Sequence, residues 1–171
     1  MSDGEIGFAS MVSILSILLG ALLGYGFESL RRAGDRKREI QSIRAALIAE
    51  ARTVGELIKR ADYVELVRGV VRACEQAPAD TKFGGVMIHL TENYLTVFEA
   101  NASKLGMLSA GEVTAFVRFH LLTKTLIDSF KSGSPWSSGE HDAADLKQAL
   151  EYTILAFEEL DRVLKQIEAF R

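Results

Sequence analysis

The sequence GFASMVSILSILLGALLGYGF, Gly7 to Phe27, is the main basis for the fold that we expect for this chain. Residues 6–27 carry no charged side chain, and every Lys and Arg lies beyond them. A helix of about 21 residues rises roughly 30 Å, which is the thickness of the hydrocarbon core of a bilayer. The sequence therefore predicts one transmembrane helix over residues 7–27.

Two other interpretations of this stretch fit less well. A cleaved signal peptide begins with basic residues and has a shorter apolar core. Residues 1–6 instead contain Asp3 and Glu5 and no Lys or Arg. A buried core helix of this length would usually carry some polar residues. We therefore expect residues 1–6 to form a short leader on the extracytoplasmic side.

The residues after the span set its expected orientation. Basic side chains close to a membrane helix tend to stay in the cytoplasm. Residues 28–38, a basic juxtamembrane segment, predict a single-pass protein of the inner membrane with its N-terminus outside and its C-terminal domain in the cytoplasm. The expected lipid head-group contacts are Arg31, Arg32, Arg36, Lys37 and Arg38. Because the lipid bilayer already explains this cluster, we expect no nucleic-acid partner.

One face of the expected span is lined by small residues. Ser16, Gly20 and Gly24 recur every four residues, and small side chains let two helices approach closely in lipid. This membrane-helix association face favours a homo-oligomer, although glycine is also simply common in membrane helices. The span has no charge with which to build an ion or proton pathway.

The sequence predicts a cytoplasmic helical bundle over residues 39–171. Apolar residues recur at steps of three and four, and the two prolines, Pro78 and Pro135, fall in polar stretches between helices. Short loops make neighbouring helices antiparallel. The expected fold class is all-α, with the membrane helix followed by an antiparallel four-helix bundle of long helices at about 36–75, 85–105, 109–131 and 140–170.

Two helix starts carry the spacing of a capping box, Ser109 with Glu112 and Ser137 with Glu140. The helix at 109–131 is apolar on more than one face. It is either the central helix of the bundle or partly covered by another subunit.

The sequence offers no recognisable catalytic or metal site. None of His89, His120 and His141 has the Glu three residues earlier that a di-iron bundle site needs, and Cys74 is the one cysteine. No phosphate-binding loop or nucleophile motif occurs. We expect no catalytic residue, no metal and no cofactor. Trp136, in a serine-rich loop, either caps the end of the bundle core or is a contact for an unknown protein partner.

The segment Val97-Phe-Glu-Ala-Asn-Ala-Ser-Lys-Leu-Gly-Met-Leu, followed by Ser109 and Val117-Arg-Phe, resembles a helical hairpin found in many small bacterial proteins. In those proteins one N-terminal membrane helix and basic residues precede a helical bundle. Their pattern more often has proline after the turn and tyrosine near position 120, where this chain has Ala110 and His120. The resemblance implies a bacterial inner-membrane setting, and because the family has no established activity it implies nothing catalytic.

The sequence thus favours a membrane-anchored, non-enzymatic helical interaction or scaffold module that self-associates. A signalling or defence-system component, whose helical head senses a ligand or a partner, is the alternative. A ligand-dependent change in oligomeric state would distinguish it. An enzyme is the least favoured class, and a pocket with converging polar side chains would revive it.

Overall fold

A computed structural model describes residues 3–78, 80–86 and 92–170, with side chains from residue 24 onward except at 92 and 93. The chain divides into two compact units, residues 1–42 and residues 43–171. Most of its described part is helical, and the strands found there are two of three residues each, so the expected all-α class is confirmed.

In chain order the elements are α1 (Asp3–Arg60), α2 (Tyr63–Gln76), β1 (Lys82–Gly84), α3 (Thr96–Asn101), α4 (Ala110–Phe130), β2 (Glu140–Asp142) and α5 (Ala143–Glu168). Turns of 3₁₀ helix, Glu92–Leu95 and Ala102–Met107, flank α3.

The helix expected at 36–75 is broken into α1 and α2. Asp62 adopts a left-handed conformation with φ of 49°, which Asp tolerates better than most residues. Ile58 and Val67 are both buried, yet they are about 2.5 turns apart and would face opposite sides of an unbroken helix. The break therefore resets the helical phase so that both apolar faces turn inward.

The start of α4 is as the sequence predicts. The Ser109 hydroxyl accepts the N–H of Glu112 at 3.4 Å, and the Glu112 carboxylate accepts the N–H of Ser109 at 2.9 Å. The second expected capping box is wrong. Glu140 lies in β2, and α5 begins at Ala143 after Asp142, which makes no side-chain capping bond.

The helix expected at 85–105 begins later than predicted, and residues 87–91 lie outside the described part of the chain. Before it, β1 pairs with β2 in antiparallel register, with Phe83 opposite His141. At Gly85 a Cβ would lie 2.4 Å from the backbone carbon of Ser137. Glycine is therefore needed where these two segments approach each other, and this pairing takes residues 82–86 out of any helix.

The core of residues 43–171 is built around α5. This helix packs against α2 and α4. The C-terminal part of α1 also reaches α5, because a Cβ on Gly55 would lie 2.3 Å from Leu164. Fully buried side chains come from each of these helices: Leu47, Val54, Val67, Thr123, Phe130, Leu146, Leu150, Val163 and Ile167.

Among the residues that the structure describes, no helix is long and apolar enough to cross a membrane. The expected span at 7–27 is helical as part of α1, but its side chains are described only from Gly24 onward.

Candidate functional sites

The basic segment, residues 28–38, is helical and exposed throughout. The Arg32 Nε lies 3.0 Å from Glu28 Oε1, and the Arg31 Nε lies 4.0 Å from Asp35 Oδ2. Both pairs join residues four apart on an exposed helix surface, where ion pairs contribute little. Because the segment has more cations than carboxylates, it presents a positively charged surface.

Large apolar side chains stand directly before and within this segment. Tyr25, Phe27 and Leu30 are 79%, 75% and 73% exposed. Isolated exposed apolar residues are common, but here Phe27 and Leu30 lie about 60° apart on the helix and Tyr25 lies on the opposite side, so large apolar side chains are exposed on two sides of α1. Aromatic rings followed by cations are the order typical of a helix leaving a bilayer.

Two of the three residues of the expected association face, Ser16 and Gly20, lie outside the residues whose side chains are described. The third, Gly24, is exposed, and a Cβ built on it has no described atom within 4 Å. Gly26 has the same open surroundings. Substitutions at Gly24 and Gly26 therefore meet no steric obstacle within the described part of the chain.

Trp136 is half-buried at the end of α4. Its ring is tilted by 43° against His141, with 5.2 Å between the ring centroids. Its carbonyl accepts the N–H of Val86 at 2.8 Å. The side chain lines a cavity of about 290 Å³ between α4 and α5, beside Phe130 and the 65% exposed Tyr152. The ring thus packs on the bundle and also borders an open surface.

A second polar cluster, missed by the sequence reasoning, joins α1 to α4. The Arg44 Nε donates to Glu112 Oε1, and Glu112 is only 5% exposed. Burial alone would raise the pKa of Glu112, but the hydrogen bonds from Arg44 and Ser109 outweigh it and hold the pKa below its ordinary value. The capping-box spacing predicts the role of Glu112 at the start of α4, but no sequence pattern pairs Glu112 with Arg44, which lies 68 positions earlier.

A carboxylate of α1, that of Glu50, holds α3. The Glu50 oxygens accept the N–H groups of Val97 at 2.6 Å and of Phe98 at 2.9 Å. Burial raises the pKa of Glu50 despite these two bonds, which lower it. Phe98 also stacks on His120 of α4, with ring centroids 4.1 Å apart. Burial lowers the pKa of His120, and in the described part its Nδ1 has no hydrogen-bond partner.

Another feature without a sequence counterpart is a cavity of about 500 Å³ at the interruption between α1 and α2, which we call the break cavity. Apolar side chains of α1, α2 and α5 line it together with charged groups. These residues are Gly55, Ile58, Lys59, Asp62, Val64, Phe157, Glu158, Leu160, Asp161, Arg162, Leu164 and Lys165.

The charged groups of the break cavity are organised around Asp161. Its Oδ2 lies 2.7 Å from Lys165 Nζ, and its Oδ1 lies 3.3 Å from Lys59 Nζ. The bond from Lys165, helped by Lys59, lowers the pKa of Asp161. A carboxylate held ionised between two ammonium groups is a poor general base.

The thiol of Cys74 is buried, and burial raises its pKa, which makes it a weak nucleophile. Within the described residues no group of three or more His, Cys, Asp and Glu is placed to hold a metal ion.

Comparison of the chain with protein-family models, curated proteins and solved structures finds no match.

Proposed function

We propose that this chain is a membrane-anchored, non-enzymatic helical interaction or scaffold module. The observation that carries the proposal is the order of exposed side chains on α1, in which Tyr25, Phe27 and Leu30 precede the cations of the basic segment. An apolar helix surface of this kind is stabilised by a lipid or protein partner. The uncharged sequence of residues 7–27 makes the lipid bilayer that partner.

The basic segment fixes the orientation in this proposal. Its cations contact anionic head groups at the inner face of the bacterial inner membrane, at about 1 kcal/mol for each charge near the surface. The N-terminus is then outside, and residues 39–171 act in the cytoplasm as a four-helix bundle. A reporter enzyme fused after Arg171 is expected to be active in the cytoplasm, and activity on the outer side would contradict this topology.

Self-association is the second part of the proposal, through the face of Ser16, Gly20 and Gly24. Cross-linking in native membranes, followed by mass spectrometry, reports both the oligomer and any other protein partner. We expect Gly20→Ile with Gly24→Ile to abolish the cross-linked oligomer. The matched control is Gly26→Ile, which lies about 120° away from the middle of the face on a helix with 100° per residue. An oligomer unchanged in the double variant would refute the association face.

The break cavity favours a second candidate function, a helical head that senses a ligand. Its volume falls in the range of small-molecule sites, roughly 300–1,000 Å³. Its polar side chains converge, as an enzyme site would require, but Asp161 is held in ion pairs with both Lys59 and Lys165. That arrangement supports binding rather than catalysis. A change in oligomeric state when a ligand is added would support the sensing function.

A further inference from the structure

The break cavity has an apolar interior. Ile58 of α1, Val64 of α2 and the α5 residues Phe157, Leu160 and Leu164 contribute aliphatic and aromatic surface to its lining. No side chain from this group offers a hydrogen-bonding atom. The body of a ligand that fits here is therefore hydrocarbon or aromatic, because burying unpaired polar groups against such a surface costs free energy.

The rim of the cavity carries unbalanced positive charge at one position. Asp161 is a single carboxylate between the ammonium groups of Lys59 and Lys165, so this cluster has one cation in excess. Two other lining charges are satisfied elsewhere. Glu158 pairs with Arg68 at 3.4 Å, and Arg162 pairs with Glu159 at 2.5 Å. The two lysines are thus the group in the lining that can neutralise an anionic head group.

One further lining charge limits the charge of that head group. Asp62 lies at the helix break, and its side chain makes no capping bond to α2. Counted together, the lining residues are neutral, with three cations and three carboxylates, and only the cluster of Lys59, Asp161 and Lys165 has an excess of one cation. A head group with two or three negative charges would be repelled by Asp62 and Asp161, whereas a single negative charge matches that cluster.

From this arrangement we infer that the break cavity binds a small amphiphile with one anionic head group and an apolar body, of the class of a medium-chain carboxylate. The head group lies against Lys59 and Lys165, and the hydrocarbon lies on the apolar lining. The site depends neither on membrane anchoring nor on self-association, because every lining residue belongs to residues 43–171. It gives the sensing function a chemical class of ligand.

A photoreactive test uses the full chain in nanodiscs and a diazirine derivative of decanoate, with the diazirine on the hydrocarbon. After irradiation, mass spectrometry locates the adducts. We expect them on peptides from α2 and α5 that line the cavity. The corresponding derivative of decanol, which lacks the charge, is expected to label these peptides at least fivefold less.

Two variants make the test specific. Val64→Trp fills the cavity and is expected to reduce labelling of these peptides at least fivefold, while Val113→Trp, on α4 and outside the cavity, leaves labelling unchanged. Lys59→Gln with Lys165→Gln removes the exposed lysines without touching the core. Labelling by the decanoate probe is then expected to fall to the level of the decanol probe. The lysine variant decides the question if Val64→Trp does not fold.

Adducts spread evenly over the chain, equal labelling by the two probes, or full labelling in the lysine variant would overturn the inference. Loss of membrane association would contradict the proposed anchoring and leave the labelling pattern unaffected, so the two failures are distinguishable.

Discussion

Replacing Glu112 by Gln removes the charge of the buried carboxylate that ties α1 to α4. The amide keeps the shape of the side chain and can still accept the N–H of Ser109. Arg44, whose side chain is 26% exposed, is left without its carboxylate. Breaking a buried ion pair by removing one partner costs about 3–5 kcal/mol, and the partial exposure of Arg44 places the expected loss near the lower end, about 3 kcal/mol.

The loss is measured by urea unfolding of the full chain. Trp136 is the one tryptophan, so its emission reports on the unit formed by residues 43–171. Arg44→Met is expected to cost a similar amount. The double variant should cost less than the sum of the two, by about 2 kcal/mol, because neither charge remains. As a control, Glu65→Gln breaks an exposed pair with Arg68 and should leave the free energy of unfolding unchanged.

The same pair gives a pH dependence. Because the folded pKa of Glu112 lies below its unfolded value, its contribution is complete above about pH 4.5 and is lost as the pH falls through the folded pKa. The difference between wild type and Glu112→Gln should therefore shrink on acidification. Additive effects of the two substitutions, or a loss below about 0.5 kcal/mol for Glu112→Gln, would refute the reasoning.

Three further predictions concern the packing of residues 43–171. Gly55→Ala forces a methyl group against Leu164 and should lower the free energy of unfolding by about 1–3 kcal/mol. The control is Gly69→Ala, whose methyl group meets no described atom within 4 Å. It should raise the free energy of unfolding by up to about 1 kcal/mol in the same assay. Glu50→Gln weakens the hold on α3, so hydrogen–deuterium exchange should accelerate at the two amides that Glu50 binds; unchanged exchange would contradict that role. Since the folded pKa of His120 is lowered, wild-type stability should fall as the pH drops below about 6.5, and His120→Phe should remove this part of the decline; identical pH profiles would contradict it.

The sequence predicts those elements of the fold that depend on local patterns. The steps of three and four between apolar residues in α4, and its start at Ser109 and Glu112, are short-range signals, and the structure has this helix within a residue at each end. The same reasoning fails where two segments distant in the chain decide the outcome. Glu140 has the spacing of a capping residue, yet pairing of β2 with β1 takes it out of the helix.

The candidate sites also fall into two groups, those that local sequence predicts and those that depend on contacts between distant segments. In α1 an uncharged segment is followed directly by a basic segment. The proposed membrane helix and its neighbouring cations can therefore be predicted from the sequence. The break cavity does not, because it requires both a left-handed residue at Asp62 and the position of α5 beside it. Helix propensity alone favours one unbroken helix through Asp62. The break forms because it allows the apolar face of α2 to be buried. In the same way, Glu50 binds the amide of Phe98 and Glu112 binds Arg44 only because tertiary packing brings these distant residues together.

Fractionation of the full chain between membrane and solution tests whether residues 7–27 anchor it in a bilayer. Cell membranes are washed with alkaline carbonate, which removes peripheral proteins, and are then floated on a density gradient. We predict that the chain stays with the membranes and that Leu18→Arg with Leu22→Arg releases it, because arginine at the centre of a membrane helix costs roughly 2.5–3.5 kcal/mol for each residue. Recovery of the unmodified chain in the carbonate wash would contradict the proposal that residues 7–27 anchor this protein in a bilayer.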